Sequence, residues 1–216
     1  MPPYSGPLLI LLVAYLLGSV SGGVVLGRLR GVDIRDQGTG SAGGSNALRT
    51  QGFGFAFGVV VIDVGKGVLA AWLGHRFGSP DGPFDVATLG YGCVLAAMAG
   101  HVWPCWHGFR GGKGTATLVG GLLVMWPWVL PGMLAAWLVT LLLSGYVGLA
   151  MVVAGSCLPL FAGLSGAGLP RWLFAIAVAL FLLYTHRGNL QRMAAGGEAR
   201  MERARVLHRI WRGGRR

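Results

Sequence analysis

The stretch Leu130-Pro131-Gly132-Met133-Leu134-Ala135-Ala136-Trp137-Leu138-Val139-Thr140-Leu141-Leu142-Leu143 carries no charged side chain. A run of this kind reads as a helix in lipid, where backbone polar groups must be satisfied within their own segment. Around it the chain stays almost wholly apolar from Thr115 to Tyr184. The breaks fall at Pro127, Pro131, Ser144-Gly145 and the segment from Ser165 to Pro170. They divide the region into four expected helices, near 115–129, 131–144, 147–163 and 171–186. Two crossings instead of four would leave spans of roughly 30 residues interrupted by proline, against the roughly 20 that a bilayer needs.

Towards the N-terminus three more spans are expected, about 8–26, 53–73 and 86–102. The reading is an all-α, polytopic integral membrane helix bundle in one domain, residues 1–216. It has seven transmembrane helices, with five as the alternative. Composition agrees: 54% of the 216 residues are hydrophobic and 12% are charged, where a soluble domain has about a quarter charged.

The net charge of +11 invites a nucleic-acid reading, but its distribution argues against one. Arg28, Arg30, Arg35 and Arg49 lie between the first two spans. Arg110 and Lys113 share one later loop, and nine arginines follow Tyr184. Basic loops alternating with non-basic ones mark the cytoplasmic side, and the basic segments lack the interleaved aromatics of a nucleic-acid surface. The N-terminus is therefore expected outside and the C-terminus in the cytoplasm, with a basic tail from about residue 187 anchored to anionic lipid. No Lys or Arg precedes the first apolar run, the reverse of a cleaved signal peptide. Cys93, Cys105 and Cys157 form no disulfide framework.

Asp63 and Lys66 sit one turn apart inside the second span. Charges in a membrane are costly, so they are expected to pair or to line a polar cavity; a purely structural ion pair is the plain alternative. Three polar, glycine-rich clusters fall on the expected cytoplasmic face. The first runs from Asp33 to Arg49. Its glycines free backbone N–H groups to turn towards a ligand, Thr39, Ser41, Ser45 and Asn46 add neutral polar groups, and Arg49 adds a planar fork suited to phosphate. The second, from Gly100 to Thr117, resembles a P-loop but lacks its spacing: His107 and Gly114 stand where the Walker pattern needs Gly and Ser or Thr. The physics persists, because the turn through Gly111, Gly112, Lys113 and Gly114 feeds a helix N-terminus that favours an anion. His101, Cys105 and His107 have no fourth partner spaced for zinc. The third cluster, His186 to Arg192 with Gly197 and Glu198 beyond, places His186 and Asn189 on one helical face. His186 can act as a general base or hold a substrate oxygen.

Taken together the clusters resemble the bacterial acyl-phosphate:glycerol-3-phosphate acyltransferases, the PlsY type. The family's first motif, Gly-Ser-Gly-Asn-x-Gly-Ala-Thr-Asn-x-x-Arg, is matched from Gly38 to Arg49. Thr39, Ser41, Gly44 and Ser45 replace its Ser, Asn, Ala and Thr. The second motif is present at Gly100-His101 and from Phe109 to Thr117, and the third from His186 to Arg192. Asp63 to Gly67 fits the family's Asp-x-x-Lys-Gly, while Ser21 stands where a Pro is usual.

The resemblance implies that the 1-hydroxyl of glycerol 3-phosphate attacks a fatty acyl-phosphate, giving lysophosphatidic acid and phosphate. This would be the first acylation of phospholipid synthesis, at the cytoplasmic face of the bacterial inner membrane. It implies no metal or cofactor; its partners are the two substrates, membrane lipids and the soluble enzyme that makes acyl-phosphate. Arg49 and Lys113 would bind phosphate, with the Gly111-Gly112 backbone on the same anion, and His186 and Asn189 would serve the reacting end. The alternative reading is a small transporter of a phosphorylated anion, which basic glycine loops and an intramembrane Asp63–Lys66 pair would also suit; no inverted repeat is visible to support it.

Overall fold

Apolar side chains turned outwards on nearly every helix define the architecture. Leu8, Leu9 and Leu12 are exposed, as are Val60, Val61 and Leu69, Leu134 and Leu138, and Leu173 and Leu180. In water such surfaces would be sticky patches; on helices apolar all round they face lipid. The computed structural model describes residues 4–201, and the tail from residue 202 on, with Arg203 to Arg216, lies outside the described residues. Within them the chain forms eleven α-helices and no strand, in two compact units, Met1–Pro127 and Trp128–Arg216.

In the first unit, α1 (Ser5–Gly18) and α2 (Gly22–Leu29) precede the short α3 (Gly44–Gln51), and α4 (Phe53–Phe77) is the central helix. It packs against α1, α5 (Val86–Val102) and α6 (Thr115–Met125). Glycine permits this closeness. A Cβ on Gly67 of α4 would run into the Thr117 carbonyl of α6, and one on Gly120 of α6 into the Val64 carbonyl. In lipid no hydrophobic drive holds helices together, so close backbone packing replaces it. Asp85 caps α5 by accepting the Thr88 N–H at 2.6 Å, and hydrogen bonding from the Thr88 side chain, then from its backbone, lowers the pKa of its carboxyl.

In the second unit, α7 (Leu130–Ser144) packs on α8 (Val147–Ser156). A break at Cys157 leads to α9 (Leu158–Leu164). α10 (Leu169–Thr185) packs on α8 and α9, and α11 (Arg187–Ala194) follows at 52° to α10. Gly145 ends α7 in the left-handed region at φ +76°, a conformation without steric cost only for glycine.

Four helical stretches have membrane-crossing length: 53–77, 86–107, 127–144 and 147–164. The bent pairs α1/α2 and α10/α11 raise this to six. The expected seventh, near 115–129, ends at Met125 before Pro127, and its 11 residues fall below the roughly 17 of a short span. The expected first span, about 8–26, is also not one helix. It breaks after Gly18 and resumes at Gly22, bent by 42°, and the carbonyls of Gly18 and Val20 turn to the Lys66 ammonium, 2.8 and 2.7 Å away.

Candidate active site

The first two glycine-rich clusters come together in the first unit. Ala42 donates its N–H to the Gly111 carbonyl at 3.2 Å. Arg35 reinforces the junction: its guanidinium donates to the carbonyls of His107 (2.7 Å) and Arg110 (3.0 Å) and grips Asp33 through Nε and Nη2. Those bonds lower the pKa of Asp33 to about 2. Burial, with the charges of Arg28 and Arg35, lowers that of His107. Arg35 was not among the expected site residues; its signal in the sequence was only the close Asp33-x-Arg35 spacing.

Within the first loop, Asn46 is 2% exposed. Its side-chain amide donates to the carbonyls of Ile34, Gln37 and Ser41 at 2.8 to 3.0 Å, and its Oδ1 accepts the Thr39 N–H at 2.8 Å. Asn46 was expected to touch substrate. Its hydrogen-bonding capacity is instead used inside the loop, so it shapes the turn that presents its neighbours. Thr39, Ser45 and Arg49 are exposed, and Ser41 is half-buried with its Oγ accepting the Gly43 N–H at 3.3 Å.

The second loop departs from expectation in a similar way. The N–H groups of Gly111 and Gly112 donate inwards, to the carbonyls of Val102 (3.1 Å) and His101 (3.0 Å). They are not the anion cradle anticipated for them. The glycines are there because the loop lies flat on His101: a Cβ at Gly111 would strike the His101 carbonyl, and one at Gly112 the ring Nε2. Lys113 is half-buried, and Gly114, at φ +87°, turns the chain into α6.

Beneath this loop lies a buried charged cluster. Lys66 and Asp63 pair at 3.1 Å with 3% and 1% side-chain exposure, in line with the pairing expected of them. The Lys66 ammonium also reaches His101 Nδ1 at 2.8 Å, and Asp63 Oδ1 accepts the Gly22 N–H at the start of α2, 3.2 Å away.

In the second unit, His186 forms the corner between α10 and α11 and is 3% exposed. Its Nδ1 lies 2.9 Å from the Leu182 carbonyl. A carbonyl only accepts, so Nδ1 carries the proton and the lone pair of the neutral ring is on Nε2. Asn189 follows in the first turn of α11, donating its N–H to the His186 carbonyl at 2.9 Å. Its amide donates to Glu198 Oε1 at 2.6 Å, and Arg192 holds the other carboxylate oxygen at 2.8 Å. Gly148 on α8 leaves room for the Asn189 side chain: a Cβ there would press on its Cβ at 2.9 Å. Glu198 is the partner that sequence reasoning did not promote. Among the described residues no group of three or more His, Cys, Asp or Glu could hold a metal ion.

The family model described as "Glycerol-3-phosphate acyltransferase" matches residues 8–196. The chain is similar to the glycerol-3-phosphate acyltransferase of Synechococcus sp. (strain CC9902), 41% identical over 196 residues, 90% of this chain and 94% of that one. It is also similar to that of Desulforudis audaxviator (strain MP104C), 37% identical over 194 residues, with 89% and 94% covered. Among solved structures it resembles PlsY (YgiH), an integral membrane glycerol 3-phosphate acyltransferase, in its glycerol 3-phosphate form. The TM-score is 0.82 at 32% identity, with 90% of this chain and 94% of that one covered. The lysophosphatidic acid form matches at a TM-score of 0.80. With the motif loops, the buried pair and the His186–Asn189 corner all inside the matched range, this multi-pass membrane chain belongs to the glycerol-3-phosphate acyltransferase family, of the PlsY type.

Proposed function

We propose that this protein transfers a fatty acyl group from an acyl-phosphate to the 1-hydroxyl of glycerol 3-phosphate, giving lysophosphatidic acid and inorganic phosphate for phospholipid synthesis. The observation that carries the reading is the family match over residues 8–196, with a fold shared with an enzyme solved with both glycerol 3-phosphate and lysophosphatidic acid. The acyl-phosphate donor rests on the motif resemblance and on the absence of a His-x4-Asp pair in the sequence.

In the reaction the substrate hydroxyl oxygen bonds to the acyl carbonyl carbon. The bond from that carbon to the phosphate oxygen breaks, and phosphate departs with the electron pair. The acyl group arrives activated, so positioning and charge stabilisation supply most of the catalysis. Arg49 and Lys113 hold phosphate, with Thr39, Ser41, Ser45 and the helix start at Gly114 as neutral donors. Asn46 and the Gly111-Gly112 pair act through loop shape. His186 accepts a hydrogen bond from the substrate hydroxyl on Nε2, Asn189 fixes the same end of the substrate, and the hydroxyl proton passes to a substrate phosphate oxygen as the ester forms.

The family resemblance supports a bacterial inner-membrane protein, and the distribution of Arg and Lys supports an outer N-terminus with cytoplasmic basic loops and C-terminus. Keeping the Lys113 loop and the basic tail on one side needs an even number of crossings between them, so α6, although only 11 residues long, counts as one of seven in a single domain. A soluble enzyme would deliver the acyl-phosphate to this face.

The deciding assay uses purified protein in detergent with radiolabelled glycerol 3-phosphate. Labelled lysophosphatidic acid should form with acyl-phosphate, and acyl-CoA should release no free CoA. Comparable turnover with acyl-CoA would reject the donor. No product from either would reject the enzyme and favour an anion transporter, which has no gradient to work on in detergent.

A further inference from the structure

We propose that Asp63, Lys66 and His101 are positioning residues for glycerol 3-phosphate, holding the 108–114 loop, and Lys113 with it, in the shape that binds phosphate. This rests on the reading of that loop as a phosphate site.

The argument starts from what Lys66 touches. Its ammonium donates to two carbonyls freed by the α1/α2 break and lies 2.8 Å from His101 Nδ1. A buried ammonium must satisfy three hydrogens, and one of the partners it takes here, the ring of His101, stands at the end of the helix that leads into the loop. The Nδ1 of His101 is closer to the Lys66 ammonium than to Asp63 Oδ1, which is 3.4 Å away. An ammonium has only hydrogens to offer, so the ring accepts on Nδ1 and carries its proton on Nε2. That fixes both the tautomer and the ring plane. Asp63 in turn anchors Lys66 at 3.1 Å and holds the start of α2 through the Gly22 N–H.

His101 hands this order to the loop by two routes. Its carbonyl accepts the Gly112 N–H at 3.0 Å, and its Nε2 edge occupies the space a Gly112 side chain would need. Gly112 precedes Lys113 directly. The neighbouring Gly111 is held by the Val102 carbonyl and itself accepts the Ala42 N–H, so a shift at His101 reaches the first loop too. Breaking a buried pair leaves an uncompensated charge, and here that charge would sit directly under the loop.

The test separates positioning from bulk stability. Lys66→Met in the full chain should raise the KM for glycerol 3-phosphate about tenfold or more, with a smaller change in kcat. Lower yield of folded protein with an unchanged KM would overturn the proposal. A second measurement does not depend on that variant folding. Gly112→Ala should raise KM by collision with the His101 ring, and His101→Ala should raise it by loosening the loop. The double variant should be no worse than His101→Ala alone, because the collision has gone. Multiplying penalties would mean independent sites and would overturn the proposal.

Hydrogen exchange of the peptide spanning 108–114, read without substrate, should quicken in Lys66→Met and His101→Ala. If wild-type protein shows no turnover but exchange quickens, the substrate reading fails and the coupling stands. If turnover is normal and neither KM nor exchange moves, the coupling fails and the substrate reading stands.

Discussion

Asn189 donates its side-chain amide to Glu198 Oε1 at 2.6 Å, while Arg192 holds the same carboxylate through Oε2 at 2.8 Å. The bond engages the amide nitrogen with the carboxylate and fixes how Asn189 Oδ1 is turned. Glu198→Ala should release the amide and remove one charge-assisted hydrogen bond, worth about 1.5–3 kcal/mol. Activity should fall roughly ten- to a hundredfold. Steady-state rates on protein checked by thermal unfolding decide this; wild-type rates in folded Glu198→Ala would remove Glu198 from the mechanism.

Arg49→Ala and Lys113→Ala should each weaken use of glycerol 3-phosphate or acyl-phosphate. Loss of one charge-assisted contact predicts about ten- to a hundredfold in kcat/KM. Arg212→Ala, in the tail outside the described residues, is the control and should leave turnover nearly intact. Unchanged kinetics in folded Arg49→Ala would exclude that arginine from phosphate binding.

His186 directs Nδ1 to the Leu182 carbonyl, so a substitute must reach the Nε2 position. His186→Gln, with an amide oxygen at about that reach, should keep more activity than His186→Ala. An obligatory base predicts the opposite pattern: equal loss in both, on the order of 10²–10⁴-fold. It also predicts a wild-type rate that falls as pH drops through the histidine range, roughly 6.5 before any shift. Both variants and the pH profile, measured in one detergent, discriminate.

Asp33 has its pKa lowered to about 2 by Arg35. A depressed carboxylate pKa contributes stability that is fully present above the unfolded value, roughly 3.9, and is lost as pH falls through the folded one. Wild-type protein should therefore unfold at a higher temperature than Asp33→Asn at pH 5 and above. The gap should close as pH approaches 2. Thermal unfolding in detergent, followed by tryptophan fluorescence, reads this; a gap that stays constant with pH would assign the difference to something other than the ion pair.

Membrane sidedness can be read by cysteine labelling after removal of Cys93, Cys105 and Cys157. Gly40, Gly108 and Gly196 all have positive φ, so probes belong on their neighbours Thr39, Arg110 and Ala195. These three should react with an impermeant reagent only from the cytoplasmic side, and a probe at Ser79 only from outside. Labelling of Arg110 and Ala195 from opposite sides would break the seven-crossing topology.

Much of this protein is written locally. The uncharged run from Leu130 to Leu143 must be helix in lipid, because no water is present there to satisfy a free backbone. The breaks before Pro127, at Gly145 and from Ser165 to Gly168 follow from proline and glycine chemistry, and α5 spans the 86–102 expected for it. The pairing of Asp63 with Lys66 was equally legible, since two opposite charges one turn apart in an apolar helix have few alternatives. What the sequence could not decide was where each polar group would spend its hydrogen bonds. A glycine-rich loop reads the same whether its N–H groups face a ligand or a neighbouring carbonyl, and only the approach of His101 turned those of Gly111 and Gly112 inwards. Asn46 looked like a ligand residue until the loop closed around its amide. Lys66 could not be placed beside the carbonyls of Gly18 and Val20 from sequence, because that contact spans more than forty residues and exists only once α1 breaks against α4. Such contacts depend on how helices pack, and packing is a property of the whole chain.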